Sequence, residues 1–140
     1  MSLSRIIEAA ENHFNANQKD CSGFLKKVAE DLFIDLPNYN ANGLYDYLVG
    51  SPEWENLGKG QPGMALAVER AFEGLLVVAA KKETGHGHVA IIVGVEKDGT
   101  PLGYWGSIAG IGKKNARLTN SWARRKFADI SYFAYLGVMV

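Results

Sequence analysis

Residues 20–33 read Asp-Cys-Ser-Gly-Phe-Leu-Lys-Lys-Val-Ala-Glu-Asp-Leu-Phe, and this stretch determines how the rest of the chain is organised. Its apolar residues recur at the spacing of a helix that buries one face: Cys21, Phe24, Leu25, Val28, Ala29, Leu32 and Phe33. Asp20 is a good N-cap, because its carboxylate accepts a hydrogen bond from an unpaired amide of the first turn. The sequence therefore predicts a buried helix that begins at its single cysteine.

The position of Cys21 makes it a candidate nucleophile. Free amide N–H groups and the positive end of the helix dipole stabilise a thiolate, so we expect the pKa of this thiol to lie below its ordinary value. Gly23 in the first turn suggests that another backbone or a substrate approaches closely. A lone cysteine on an apolar face is more often an inert small hydrophobe. A catalytic role therefore requires a base elsewhere in the chain.

Length and composition describe one domain over residues 1–140, with 47% hydrophobic and 21% charged residues. Lys plus Arg and Asp plus Glu number 15 each, so no overall field attracts nucleic acid or an anionic membrane. No apolar run approaches the length of a membrane span, and the N-terminus lacks the order of a signal peptide. We expect a cytoplasmic product that does not leave by the general secretory route. One cysteine also excludes an internal disulfide.

The order of the predicted elements is helices first and strands afterwards. Helices are expected around residues 3–14, 21–33, 44–48 and 63–72, and strands over 75–80, 88–95, 102–106 and 130–140. Residues 97–100 carry a hairpin signal, which makes the neighbouring strands antiparallel. The expected fold class is α+β, with N-terminal helices packed on an antiparallel sheet.

Among the three histidines, His88 is the best candidate for the base. It follows a glycine turn and begins the β-branched run Val89–Val95, so the sheet would hold its ring. From there it could lie over the start of the cysteine helix and take the thiol proton. His13 lies on the first helix with no special setting, and His86 lies in a glycine loop. A satisfied structural histidine at a strand edge is the alternative reading of His88.

Two segments, residues 20–24 and 87–93, resemble the papain-like cell-wall peptidases of the NlpC class, in which a cysteine opens a helix and a histidine begins a strand. Residues 40–42, residues 106–110, Trp122 and the aromatic last strand resemble, more narrowly, the type VI secretion amidase effectors of the first family. This resemblance extends from about Ile6 to Leu136. It implies a papain-like single domain without a cofactor or a metal.

The resemblance implies a cysteine amidase that hydrolyses the peptide stem of peptidoglycan, at the bond between γ-D-glutamate and meso-diaminopimelate. Carried over by position, Cys21 is the nucleophile and His88 is the general base and later the acid. The backbone N–H of Cys21 is the natural first donor of an oxyanion hole. The resemblance also implies an antibacterial toxin that acts as a monomer, leaves through a type VI apparatus, reaches the periplasm of a target bacterium and is blocked by a cognate immunity protein.

Further site residues are expected around this pair. Papain-like sites place a polar group behind the imidazole, and the strand after the histidine strand offers Trp105, which cannot accept from a ring N–H. Ser107 or a backbone carbonyl is left for that role. Asp20 and Ser22 adjoin the nucleophile, and the candidates for substrate binding are Asn40, Asn42, Gly106 and Lys113. The asparagines could equally be turn and cap residues, and lysines in a loop are more often only solvated.

Three other classes of protein stay open at this point. Permuted relatives of the fold transfer acyl chains between lipids, but the chain order Cys then His fits the unpermuted peptidases. A thiol redox protein usually has a resolving cysteine, which this chain lacks. A binding module that kept the fold without catalysis would show no difference in the sequence.

Overall fold

The computed structural model of the protein describes residues 1–107 and 110–137. These residues form α1 (Leu3–Phe14), α2 (Cys21–Asp31), α3 (Ala41–Gly50), β1 (Trp54–Lys59), α4 (Gly60–Phe72), β2 (Val77–Lys81), β3 (His88–Val95), β4 (Pro101–Trp105), β5 (Lys113–Arg117) and β6 (Ser131–Tyr135). Short 3-10 helices span Asn15–Asn17, Leu118–Asn120 and Arg124–Asp129. None of the described helices is both long and apolar enough to cross a membrane.

The six strands form one sheet in the order β1-β6-β2-β3-β4-β5, and every neighbouring pair is antiparallel. The prediction of an α+β fold with an antiparallel sheet is confirmed. The turn at residues 97–100 joins β3 to β4 as a hairpin. The last strand, β6, lies inside the sheet between β1 and β2.

Helices cover both faces of the sheet. Side chains of α1, α2 and α3 pack on one face against Val78, Ala80, Ile91 and Phe133, whereas α4 packs on the other face against Val77, Ala79, Ile92 and Tyr132. Because successive strand residues point to opposite faces, strands covered on both sides are apolar at every position. This explains the unbroken apolar runs in β2 and β3.

Side-chain caps begin the two helices next to the site; the cap at Asp20 was predicted, and a cap role for Asn40 was the alternative to substrate binding. The Asp20 carboxylate accepts from the Gly23 N–H at 3.0 Å and begins α2, and the Asn40 side chain accepts from the Gly43 N–H at 3.0 Å and begins α3. Each bond satisfies one of the amide groups that a helix start leaves unpaired.

Two strands were not predicted. In β1 a bulge between Asn56 and Gly58, where φ of Gly58 is +95°, breaks the alternation of buried and exposed residues that normally identifies a strand. Strand β5 is a largely exposed edge strand, so its sequence carries no apolar signal. The placement of Lys113 in a loop is therefore wrong, because Lys113 begins β5.

Several element boundaries also differ from the prediction. Helix α2 ends at Asp31, so Phe33, which was expected on its buried face, lies beyond the helix and is exposed. Helix α3 is longer than the expected 44–48, and β2 and β4 are shifted by one or two residues.

Helix α4 begins at Gly60 rather than Gly63, and directly after β1. The last strand begins at Ser131 and ends at Tyr135, whereas a strand over residues 130–140 was expected; residues 138–140 lie outside the described part of the chain.

Candidate active site

Cys21 is the first residue of α2, and its side chain faces a groove although the residue is only 8% exposed. The N-cap Asp20 is tied to the same turn, because its carboxylate also accepts from the Ser22 hydroxyl at 3.0 Å. A Cβ at Gly23 would lie 2.6 Å from a carboxylate oxygen of Asp20. Gly23 thus leaves room for the cap that fixes the backbone around the thiol.

His88 is the first residue of β3, paired with Lys81 of β2. The loop that precedes it is held by Asn42 of α3, whose backbone N–H donates to the His86 carbonyl at 2.8 Å. The Asn42 side chain donates to the Glu83 carbonyl at 2.7 Å and accepts from the Glu83 N–H at 3.1 Å. The ring of His88 is therefore positioned by the sheet on one side and by a fixed loop on the other.

The structure brings Cys21 and His88 together. The side chains of Cys21 and His88 line the same hollow. The backbone N–H of Val89, the residue after His88, lies close enough to the Cys21 thiol to favour its thiolate form.

Two residues of the segment before the third 3-10 helix contact the imidazole. Nε2 of His88 lies 2.6 Å from the hydroxyl oxygen of Ser121. The Trp122 ring packs edge-on against the imidazole, with ring centroids 4.8 Å apart and an interplanar angle of 68°. Because one ring nitrogen is engaged by Ser121, Nδ1 is the nitrogen available to the thiol.

The electrostatics of the site keep both reactive groups neutral. Burial lowers the pKa of His88 to about 4, against a smaller opposite effect of the Glu83 carboxylate. Burial also raises the pKa of the Cys21 thiol, although the backbone N–H groups of Val89, Ser22 and Cys21 favour the thiolate. The expectation of a lowered thiol pKa is therefore wrong: desolvation of the thiolate outweighs the amides at the helix start.

The groove consists of two hollows that meet at Cys21 and His86. The larger has a volume of about 490 Å³ and contains His88; the smaller, of about 360 Å³, lacks His88. The first is lined by Cys21, Glu83, Thr84, His86, Gly87, His88, Trp105, Ser107, Gly110, Ile111, Asn120 and Ser121. The second is lined by Lys19, Asp20, Cys21, Ser22, Asn38, Tyr39, Asn40, Ala41 and His86. We refer to them as the histidine hollow and the tyrosine hollow.

Ser107, the sequence candidate for orienting the imidazole, lies in the histidine hollow, but the residue that hydrogen bonds to the ring is Ser121. Continuing the register of β3 and β4 would place Ser107 across from His88. Strand β4 ends at Trp105, however, and the Ser107 N–H donates to the Gln18 carbonyl at 2.9 Å. The chain thus leaves the sheet before it reaches that position.

The other sequence candidates are distributed around the groove. Gly106 packs against the segment before α2, since a Cβ there would lie 2.5 Å from the carbonyl oxygens of Asn17 and Asp20. Asn40 borders the tyrosine hollow as the N-cap of α3, and Lys113 is exposed at the start of β5. Ile108 and Ala109 of the predicted 106–110 motif lie outside the described residues.

Sequence reasoning missed Ser121, whereas the alternative of a turn role for Asn42 agrees with its side-chain bonds to the Glu83 backbone. The contact of Ser121 with His88 joins residues 33 positions apart, and neither local pattern nor spacing reveals it. The available signal was Trp122, which carries part of the family resemblance and whose neighbour is Ser121. Among residues 1–107 and 110–137, no three His, Cys, Asp or Glu side chains are grouped so that they could hold a metal ion.

The chain is similar to a protein of known activity. No family model matches the chain. The chain is 33% identical over 142 residues to the peptidoglycan amidase Tse1 of Pseudomonas aeruginosa, and the match covers 93% of this chain and 88% of that protein.

Proposed function

The chain belongs to the type VI secretion amidase effector family, and from this premise we propose that Cys21 and His88 hydrolyse the peptide stem of peptidoglycan. The observation that carries the proposal is that Cys21, the first residue of α2, and His88, the first residue of β3, line the same hollow. A nucleophile beside a base that is itself held by a third group is the arrangement that thiol-dependent acyl transfer requires. The fold is accordingly of the papain-like NlpC type, with residues 1–140 as one amidase domain.

Catalysis begins from the neutral pair. Nδ1 of His88 takes the proton of the Cys21 thiol as the sulfur attacks the carbonyl carbon of the scissile amide, and the carbonyl oxygen becomes an oxyanion. The backbone N–H of Cys21, at the first position of α2, donates to this oxygen, because a helix start leaves its first amides unpaired. The imidazolium that results is a proton donor beside the amide nitrogen.

The second half of the reaction releases the products. The imidazolium protonates the amide nitrogen, the C–N bond breaks, and the acyl group stays on Cys21 as a thioester. A water molecule then gives a proton to neutral His88 and attacks the thioester carbonyl. The C–S bond breaks, the carboxylic acid leaves, and the proton on His88 returns to the sulfur.

The two hollows define the direction in which the substrate lies in the groove. The leaving amine must lie within reach of His88, so the amine half of the substrate occupies the histidine hollow. The acyl half then extends into the tyrosine hollow, which shares Cys21 but lacks His88. For cleavage between γ-D-glutamate and meso-diaminopimelate, the glutamate lies beside Tyr39 and Asn40 and the diaminopimelate lies beside Glu83 and Thr84. The choice of this bond is supported by the family resemblance.

The biological role follows from membership of the family. The protein is delivered by a type VI apparatus into the periplasm of a target bacterium and degrades its wall as a toxin. An immunity protein in the producing cell would have to cover the groove that contains Cys21. Because the groove is open along two hollows, a partner that fills either one blocks the approach to the thiol.

Digestion of diaminopimelate-type peptidoglycan tests the proposal. The wild type is expected to release fragments that end in γ-D-glutamate, identified by mass spectrometry, and Cys21→Ala and His88→Gln are expected to release none. His13→Gln changes a histidine on α1 outside the groove and serves as the matched control, which should retain cleavage. A wild type that leaves peptidoglycan intact, or a Cys21→Ala protein that cleaves it, would contradict the proposal. Intact peptidoglycan would favour a binding module.

A further inference from the structure

Ser121 has no role in the reaction as described so far, although its hydroxyl oxygen lies 2.6 Å from Nε2 of the proposed base. We propose that Ser121 is a positioning residue: it accepts a hydrogen bond from Nε2–H of His88 and so leaves the Nδ1 lone pair for the Cys21 thiol. This inference rests on the proposed function, since it assumes that Cys21 and His88 react as a pair.

The argument begins with the chemistry of the neutral ring. A neutral imidazole carries one proton, so one nitrogen donates and the other accepts. His88 can take a proton from Cys21 through Nδ1 only if its own proton is on Nε2. A hydroxyl can donate or accept, but when it accepts from Nε2–H it selects the reactive tautomer.

The position of Cys21 is compatible with this orientation. The Cys21 thiol lies near the Val89 N–H, which favours its thiolate form, and it lines the same hollow as His88. Ser121 contacts the ring at Nε2. With Nε2 occupied in this way, Nδ1 is the ring nitrogen that remains for the thiol in the proposed pair.

The Ser121 hydroxyl is held by a rigid support. The N–H groups of Ser121 and Trp122 both donate to the carbonyl of Leu118, at 2.9 and 3.1 Å, and close the 3-10 turn. Leu118 is fully buried and Trp122 is 4% exposed, so both side chains anchor this turn in the core under α4. Trp122 also packs against the imidazole and limits its rotation about χ2.

A hydroxyl suits this position better than a carboxylate for a base that must stay neutral at rest. A carboxylate behind the ring would favour the imidazolium and raise the pKa of His88. The Ser121 oxygen accepts from Nε2–H in both the neutral and the protonated ring. The same hydrogen bond therefore persists when the proton moves from Cys21 to Nδ1, and no reorganisation is required during the reaction.

Isotope-labelled histidine NMR on the free enzyme tests the tautomer directly. The wild type should carry its proton on Nε2 of His88, and Ser121→Ala should shift the ring toward a mixture with Nδ1–H. Thr119→Ala removes a hydroxyl from the same turn and is the matched control, which should leave the tautomer unchanged. A proton on Nδ1 in the wild type, or an unchanged tautomer in Ser121→Ala, would overturn the proposal.

Kinetics provide the second readout. Ser121→Ala should lower kcat by about 10- to 100-fold with little change in KM, because substrate still binds but fewer rings are in the reactive tautomer. Ser121→Thr retains the hydroxyl and should recover most of the loss. Equal losses in Ser121→Ala and Ser121→Thr would contradict the assignment. If the wild type cleaves no peptidoglycan, the proposed function fails, while the NMR result still decides the role of Ser121.

Discussion

Asn42 holds Glu83 by two hydrogen bonds of its side-chain amide, one to the backbone carbonyl and one from the backbone N–H, at 2.7 and 3.1 Å. A third bond reaches the Gly85 carbonyl at 3.3 Å. The second residue after the α3 cap thereby fixes the loop that leads into His88. The position of His88 matters for the proposed catalysis, because a small displacement of a base reduces the rate strongly.

Asn42→Ala is expected to lower both stability and activity. Each lost hydrogen bond costs about 1 kcal/mol, so the free energy of unfolding should fall by about 1–3 kcal/mol. Urea denaturation measures this loss. Asn12→Ala, at an exposed position of α1, is the matched control and should change stability little. If Asn42→Ala were as stable and as active as the wild type, the loop would not depend on this amide.

Gly87→Ala should be far more damaging than Gly85→Ala. Both glycines have positive φ, +69° and +101°, so alanine is strained at either position. At Gly87 a Cβ would in addition overlap the Asn42 side-chain oxygen and lie 2.7 Å from the Lys81 carbonyl, whereas at Gly85 it would meet nothing within 4 Å. Thermal unfolding and peptidoglycan cleavage compare the pair. Equal effects of the two substitutions would show that the close approach at Gly87 is unimportant.

Asp20→Asn should make the Cys21 thiol more reactive without unfolding the helix. Burial is the main reason that the thiol pKa is raised, and the Asp20 carboxylate raises it further. Asparagine caps a helix as well as aspartate but carries no charge. Alkylation by iodoacetamide at neutral pH should accelerate by about three- to tenfold, because two neighbouring charges near water interact by about 1 kcal/mol.

Comparison with Asp20→Ala separates the effect of the charge from that of the cap. Asp20→Asn removes only the charge, whereas Asp20→Ala removes both the charge and the cap and should lower the free energy of unfolding by about 1 kcal/mol. An unchanged alkylation rate in Asp20→Asn would show that the carboxylate does not act on the thiol.

Acidification should destabilise the folded protein through His88. The unfolded chain takes up a proton on this ring below pH 6.5, but burial holds the pKa of the folded ring at about 4. Between these values the unfolded state binds more protons, so stability falls as the pH falls. The contribution lost between pH 7 and pH 5 is about 2 kcal/mol.

Urea denaturation at pH 7 and pH 5 checks this expectation. Between pH 7 and pH 5 the free energy of unfolding of His88→Asn should fall by about 2 kcal/mol less than that of the wild type. His86→Gln, at an exposed position of the same loop, should follow the wild type. A wild-type stability that is level between the two pH values would contradict the burial of a neutral His88.

Strand β3 and Ser121 show what could and what could not be predicted from the sequence. The β-branched run after a glycine turn predicted the bounds of β3 correctly, because a strand buried on both faces must be apolar throughout. The cap at Asp20 was equally local and was predicted. Strand β1 was not predicted because its bulge disrupts the alternation of buried and exposed residues. Ser121 was not predicted because its contact with His88 exists only after the chain has folded. The expectation of a lowered pKa for the Cys21 thiol was wrong for the same reason, since burial depends on neighbours that are distant in sequence.

The interior position of β6 has a consequence for how the protein is made. In the described sheet β1 pairs with β6, so residues 54–59 cannot form this pairing until β6, more than seventy residues later in the chain, has been synthesised. The β2–β3 hairpin can form early, but the sheet closes only when β6 has left the ribosome. We therefore expect late, slow closure of the sheet during translation, after residues 131–135 have been synthesised.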